Sequence, residues 1–415
     1  MHNVANIANE IAIFDYFCVL RNTQTMKETT IGNGSVRYIG VDDLDIDLFE
    51  NQYIVPEGMA YNSYLILDEK VAVMDGVDER KAAEWEAGLN EKLGARTPDY
   101  LVVLHTEPDH SGSIARLMSA YPKCRCVCSA NAAKFMLQFY PGLSFADRID
   151  VVKEGDTLQL GSHTLHFFAA PMVHWPDVLV AYEESEGILF SADAFGKFGA
   201  LSKTDKDDWD CEARRYYINI VGKFGPQVQT LLKKLSGLKI STICPLHGPV
   251  LKENLGHYIG LYDIWSSYRP ETEGVFIAYG SLHGNTAEAA NYLAGKLEAK
   301  GVKLEIADLS RSDLAENIEG AFRYDRIVLA ASTYEGGLHP LMSDFLHHLK
   351  NKGFCNRKVA LIENGTWAPM AAKVMKEELG QMKGISVYDS VVTIRSAVTD
   401  ATRRELDALA DVLTA

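Results

Sequence analysis

The chain has 415 residues, more than one ordinary core holds, so two or three domains are expected. Apolar residues make up 47%, which excludes a disordered chain, and a formal charge of −15 argues against nucleic-acid binding, which needs a basic surface. Seven cysteines, an odd number with no C-x-x-C pair, argue against a disulfide scaffold and fit a reducing cytoplasm.

The N-terminal MHNVANIANEIAIFDYFCVL has no basic n-region, and Asp15 interrupts its apolar part, so it is a poor signal peptide. Met26 opens a charged stretch that reads as a domain start; residues 1–25 are expected to be an extension dispensable for activity. No apolar run approaches the ~18–20 residues of a membrane helix, and no membrane partner is expected. YNSYLILDEKVAVMDGV reads as two short strands with a turn at Asp68–Lys70, and AAEWEAGLNEKLG as a helix ending at Gly94. DYLVVLH is a buried strand and SGSIARLMSAYP a helix. CRCVC, at 124–128, resembles a metal clip, but small apolar side chains in a strand are the simpler reading. The segments 149–171 and 178–193 supply further strands, so two mixed sheets with helices outside are expected.

The densest chemistry is HTEPDH, at 105–110, at the end of the strand DYLVVL. On an extended loop, ligands spaced two apart converge on one ion and adjacent residues serve two. His105 and Glu107 form one half-site, Asp109 and His110 another. Six residues cannot complete two coordination shells, so further ligands must come from later loops. His174 in APMVHWPD, Asp193 in LFSADAFG and His247 in CPLHGPV each follow an apolar strand and precede Gly or Pro. Singly, each reads as an ordinary hydrogen-bonded residue; in this order, after HTEPDH, they form a metal constellation.

A boundary falls near YRPETEGVFIAYG, after the helical YIGLYDIWSSY. Beyond it the strands GVFIAYG, KLEIADL, DRIVLAAS, KVALIEN and SVVTIRS alternate with helices, as in a doubly wound parallel sheet. The loop SLHGNT, after the first of these strands, is neither a Walker loop nor G-x-G-x-x-G. Ser281, Asn285 and Thr286 offer side-chain donors, Gly284 permits close backbone approach, and a helix N-terminus favours an anion; Leu282 and His283 complete the loop. It resembles the flavodoxin phosphate loop, which holds a monophosphate flavin; a simply capped helix is the alternative. Two more loops leave the same rim: Ser332, Thr333, Tyr334, Glu335, Gly336 and Gly337, then Asn364, Gly365, Thr366 and Trp367. The aromatics can flank an isoalloxazine ring, and the glycines let backbone N–H groups reach its edge.

H-x-E-x-D-H followed by His, Asp and His, then flavodoxin-type loops, resembles the flavodiiron proteins, also called A-type flavoproteins, over about residues 30–415. The resemblance implies a metallo-β-lactamase-like αββα sandwich over 26–270 and a flavodoxin-like FMN domain over 271–415. It implies two non-haem irons, one held by His105, Glu107 and His174, the other by Asp109, His110 and His247, with Asp193 bridging. Hydrolases of the superfamily usually have His where Glu107 stands, and the three carboxylates suit a harder metal than zinc. The activity implied is reduction of O2 to water, of NO to N2O, or both, with electrons from FMN and no covalent nucleophile. An external donor such as rubredoxin or a flavin/NADH-dependent reductase is implied, as is a head-to-tail homodimer or a dimer of such dimers. Paired C-x-x-C sites of a rubredoxin are lacking, and Phe198 lies where many relatives carry a further His, so substrate preference does not carry over. The rival readings are a two-metal hydrolase with a flavodoxin-like regulatory domain, and an electron-transfer protein with a degenerate metal site. His163 and His166 are expected at the surface or behind the ligands, and RRYY on an exposed or half-buried helix face.

Overall fold

The computed structural model describes residues 30–203 and 209–415; the expected extension, 1–25, lies outside them. Two sheets form the first layer pair. One runs Thr30–Ile31, Val36–Tyr38, Tyr64–Leu67, Val71–Met74, Tyr100–Val103, Arg125–Cys128, Ile149–Val151. The other runs Thr157–Gln159, Thr164–Ala169, Leu179–Glu183, Ile188–Phe190, Thr242–Cys244. Both are mixed, with antiparallel hairpins such as Leu67↔Val71 and parallel pairs such as Val127↔Val102. The three thiols of CRCVC are fully buried in the core; Cys126 and Cys128 lie in the strand Arg125–Cys128 and Cys124 just before it, small apolar side chains as expected. The helix Ala82–Leu93 buries Ala82, Trp85, Leu89 and Leu93 and stops at Gly94, whose φ of 58° a non-glycine residue adopts only at a cost.

The third sheet has the order Leu304–Asp308, Thr272–Gly280, Tyr324–Tyr334, Lys358–Asn364, Ser386–Ile394, all parallel along this path, and the short Gly337–Leu338 pairs antiparallel with the end of Tyr324–Tyr334. This is the flavodoxin-like 2-1-3-4-5 order, whose switch point lies beside its first strand. Helices Asn285–Ala299 and Asp400–Thr414 pack together, as do Leu314–Arg323 and Pro340–Asn351. Val275 and Ile277 face a separate core, whereas Phe276 and Ala278 belong to the cluster that runs on into the first two sheets. The α/β halves therefore share apolar core rather than meeting across a wet seam. Arg214 reinforces the joint, with Nε and Nη2 on Glu271 at 2.6 and 2.7 Å and Nη1 on Glu319 at 2.6 Å.

Some local expectations change. HTEPDH is not wholly extended: Pro108 starts a one-turn helix, Pro108–Ser111, where its missing N–H costs nothing. The last strand begins at Ser386, ahead of SVVTIRS. His163 is buried, 3.0 Å from the buried Glu183, while His166 is part-exposed. RRYY is not a surface face: Arg214, Arg215, Tyr216 and Tyr217 are all buried. Among the described residues no helix is long and apolar enough to cross a membrane.

Candidate metal centre and flavin rim

The constellation converges at the shared rim of the first two sheets. His105 and His247 follow the ends of Tyr100–Val103 and Thr242–Cys244, Asp193 follows Ile188–Phe190, and His174 lies in the turn between Thr164–Ala169 and Leu179–Glu183. Leu179 N–H donates to Leu104 O at 2.9 Å, which joins two of these elements beside His105. Met172, Ala192 and Phe195, close in sequence to His174 and Asp193, have φ of 66°, 51° and 67°. Such left-handed non-glycine backbone persists where surroundings over-determine it, as functional sites do.

Two groups form, His105–Glu107–His174–Asp193 and Asp109–His110–His247. In the first, Glu107 Oε2 lies 3.2 Å from His105 Nε2 and 3.0 Å from His174 Nε2. Asp193 Oδ2 lies 3.4 and 3.1 Å from the same two nitrogens. In the second, Asp109 Oδ2 lies 3.3 Å from both His110 Nε2 and His247 Nε2. Asp193 Oδ1 lies 3.2 Å from His110 Nε2 and 3.7 Å from His247 Nε2. One carboxylate thus turns one oxygen to each group, as a bridging ligand does.

All four imidazoles present Nε2. Behind two of them an acceptor fixes the tautomer: His247 Nδ1–H donates to Ala60 O at 2.8 Å, and His105 Nδ1–H to Asp177 Oδ2 at 3.2 Å. Asp177, fully buried, also accepts from Thr106 N and Oγ1 at 2.8 and 2.7 Å. No sequence signal points to it, since one Asp after Trp-Pro has no diagnostic spacing. Replacing Asp177 with Asn is expected to weaken metal binding about 10- to 100-fold, checked by chelator competition. Unchanged affinity would remove Asp177 from that supporting role. Asp75 buttresses the same loop, accepting from Leu104 N–H at 2.7 Å and His105 N–H at 3.3 Å.

The electrostatics call for cations. Both carboxylate oxygens of Asp109 and of Asp193 are buried without a hydrogen bond, although ring nitrogens stand close by. Groups that converge without pairing suit a third atom between them. Burial opposes charge on His174, yet Asp193 and Glu107 outweigh it and hold its pKa at about 9. His105 and His110 are likewise raised against their burial. Burial works against the Glu107 and Asp193 charges too, but the histidines depress both pKa values. Buried carboxylates cost several kcal/mol each unless compensated. Two divalent cations held between these groups would supply that compensation. The donor set of four imidazoles and three carboxylates fits two such ions.

Aromatic rings wall the centre. Phe49, Tyr61 and Tyr216 stand 5.4, 6.0 and 5.5 Å from the His247 ring, and Trp175 5.2 Å from His105. Phe198, fully buried, lies behind them between Phe49, Tyr53 and Tyr216, with the Arg215 guanidinium 4.4 Å from its ring. The Tyr216 hydroxyl is buried without a partner, and burial first, then the Asp193, Asp109 and Glu107 charges, raises its pKa so that it keeps its proton.

The three rim loops of the third sheet also come together. Gly284, at φ 89°, has open space where a Cβ would stand and caps Asn285–Ala299 without a side-chain bond. Gly284 N–H donates to Ser281 Oγ at 3.1 Å, and the buried Thr286 Oγ1 lies 2.9 Å from Ser332 Oγ. Thr333 Oγ1 accepts from Met370 N–H at 2.9 Å, tying the second loop to the third. Leu282, Tyr334 and Trp367 are exposed, Trp367 by 88%, on this rim. Glu335 and Gly336 take positive φ, and Gly337 has no side chain near it, so the backbone here is open to a ligand. Ser396 is an addition: its Oγ meets Thr366 Oγ1 at 2.8 Å, and its N–H donates to Asn364 Oδ1 at 3.1 Å. An uncapped helix start with free N–H groups, open glycines and an exposed indole fit a flavin monophosphate. His283 is exposed; His339 is buried against Gly280.

Residues 59–248 match the ODP family beta lactamase and residues 276–388 a Flavodoxin domain. The chain is 30% identical over 356 residues to the nitric oxide reductase of Moorella thermoacetica, covering 84% of this chain and 88% of that protein. It is 28% identical over 347 residues to the anaerobic nitric oxide reductase flavorubredoxin of Citrobacter koseri, covering 80% of this chain and 71% of the relative. Among solved structures, the rubredoxin oxygen:oxidoreductase of Desulfovibrio gigas superposes with TM-score 0.84 at 25% identity, over 91% of this chain and 96% of that one. A flavo di-iron protein variant of Thermotoga maritima gives TM-score 0.82 at 25% identity, over 91% and 95%.

Proposed function

The chain belongs to the flavodiiron proteins, and from that premise we propose that it is an oxidoreductase reducing O2 to water, NO to N2O and water, or both. The observation that carries the reading is the pair of ligand groups sharing Asp193. The two-metal hydrolase reading gives way, because the relatives are reductases joined to a flavodoxin-like half. His105, Glu107 and His174 would hold one iron, Asp109, His110 and His247 the other, with Asp193 between them. The loops 281–286, 332–337 and 364–367 would hold FMN, with 26–270 and 271–415 as the two domains. When bound, the irons supply a redox-active place for a diatomic and FMN supplies the electrons.

The protein's own residues do the rest. Glu107, Asp109 and Asp193 keep the centre anionic enough to hold two cations. Phe49, Tyr61 and Trp175 cover the ligand rings and keep bulk water off them. Tyr216 keeps its proton on Oη, a buried donor for an oxygen atom gaining negative charge. The donor protein is proposed to be rubredoxin or a flavin/NADH-dependent reductase. The test is anaerobic stopped-flow oxidation of the reduced protein by O2 and by NO, side by side, on material assayed for metal and flavin. About two irons and one FMN per chain, with rapid flavin reoxidation by at least one gas, is expected. Full turnover supported by zinc alone, or no reoxidation by either gas, would end the assignment.

A further inference from the structure

The flavodoxin-like half reaches into the wall of the metal centre at one side chain. Lys352 caps the C-terminal end of the helix Pro340–Asn351. Its ammonium donates to Asn219 O at 2.8 Å and to Tyr53 Oη at 3.1 Å, and Tyr53 Oη in turn donates to Asn219 O at 3.1 Å. The two acceptors belong to separate segments, and each segment sends one ring onto His247. Tyr53 pairs with Phe49 in the small hairpin Leu48–Phe49/Tyr53–Ile54, and Phe49 stands edge-on to His247 at 5.4 Å. Asn219 lies in the π-helical turn Tyr217–Val221, directly after Tyr216, which stands 5.5 Å from the same ring.

Neither segment is held firmly by itself. The hairpin has two residues per strand, and Glu50 and Asn51 in its turn take φ of 48° and 55°. A two-stranded hairpin of this size has marginal stability alone. A π turn inside a helix is rare and needs support from outside, and such turns recur at functional sites. Asn219 Nδ2 donates to Arg215 O in its own helix at 2.9 Å, and the other half adds support: the same Nδ2 donates to Ala315 O at 3.1 Å, and Lys352 donates to the Asn219 carbonyl. Burial lowers the Lys352 pKa to about 8, with Glu50 pulling it back up and Lys223 pushing it further down. A lysine stem kept under such desolvation, on two neutral oxygens, fits a group retained for placement rather than for solubility.

We propose that Lys352 is a positioning residue for the metal centre: it bolts the Phe49 hairpin to the Tyr216 helix, so the flavodoxin-like half completes the pocket wall of its own chain. This role is separate from electron supply, and Lys352 touches neither a candidate ligand nor a flavin loop among its hydrogen bonds. The proposal rests on the two-iron reading, which the wild type tests alone: a wild type without an iron pair sinks that reading, whatever the variants do.

The experiment compares iron-loaded, FMN-loaded wild type with Lys352→Met, which keeps the stem and loses the donors, and with Lys352→Arg, which keeps donors. The readouts are the electron paramagnetic resonance line shape of the half-reduced iron pair, the flavin spectrum, and kcat/KM for the gas that the wild type turns over. Lys352→Met is expected to shift or broaden the iron signal, leave the flavin spectrum unchanged, and lower kcat/KM about tenfold or more, the scale of a small misplacement near chemistry. Lys352→Arg is expected to recover the wild-type line shape. Tyr53→Phe, which removes one acceptor and keeps the ring, is expected to change the line shape in the same direction, and it stands in if Lys352→Met does not fold. A wild-type iron signal in every variant that folds overturns the proposal, and so does a flavin spectrum that changes while the iron signal does not.

Discussion

Replacing Glu107 with Ala is expected to abolish gas reduction, to remove one iron of the pair, and to leave the visible flavin spectrum intact. Glu107 supplies the only carboxylate of the first group besides the shared Asp193, at 3.2 and 3.0 Å from the His105 and His174 nitrogens. Without it that group keeps two imidazoles and a bridging oxygen, too few anionic donors for a hard metal ion. The Asp109–His110–His247 group keeps its set, so the second iron should persist. The flavin loops leave another sheet, so their spectrum should be untouched. Because the proposed reaction draws on both ligand groups, turnover should fall below detection rather than by a small factor. Iron counting, flavin absorbance and O2 and NO consumption on one preparation make the check. Turnover retained with one iron lost would mean that the first group is not part of the working centre. The Glu107→His change, which restores the residue usual in the superfamily's hydrolases, should bind zinc more readily and leave reduction lost.

Much of the candidate centre was legible because each candidate ligand sits where an apolar strand ends in Gly or Pro chemistry, a local signal that survives without a structure. The parallel sheet was legible for the same reason, as alternation of strand and helix along the chain. What escaped depends on distance in sequence. Asp177 reaches back 72 residues to His105, and Lys352 reaches 299 residues to Tyr53. Periodicity reports which face of an element is apolar, never which remote element covers it. RRYY shows the limit: consecutive arginines on a helix ordinarily mark a solvated face, but Arg214 finds Glu271 and Glu319 across the joint and is buried there. His163 was misplaced for a like reason, since its partner Glu183 comes from the neighbouring strand. The turn at Pro108 escaped on another ground: one helical turn is too short to show a period.

Mixing a variant whose iron pair is incomplete with one that lacks FMN is expected to restore activity, because the working unit is proposed to span two chains. Two globules of this size place their centres on the order of 30 Å apart by compact-domain scaling. Within the chain the helix Pro340–Asn351 gives a second ruler. Its N-cap, His339, follows the second flavin loop, and Lys352, just past its other end, touches the wall of the metal centre. Thirteen residues at 1.5 Å rise span about 20 Å, so a flavin held on the rim would lie on that order of distance from its own chain's proposed iron site. Electrons tunnel poorly across such a gap. A head-to-tail homodimer, alone or paired into a dimer of dimers, would bring each rim to the partner's metal centre, and twofold symmetry would make that contact twice. The exposed Trp367, Tyr334 and Leu282 then gain a neighbour as well as a cofactor. For the test, Glu107→Ala supplies the iron-deficient chain. Thr286→Leu supplies the flavin-deficient one, since it replaces a buried hydroxyl at the start of the phosphate-loop helix. After dissociation and reassociation, each mixed dimer has one intact rim opposite one intact metal centre. Half of a random mixture is mixed dimer with one working pair of two, so about a quarter of wild-type activity should return from two inactive parents. No recovery in verified mixed dimers, or a fully active monomer, would show that each chain works alone.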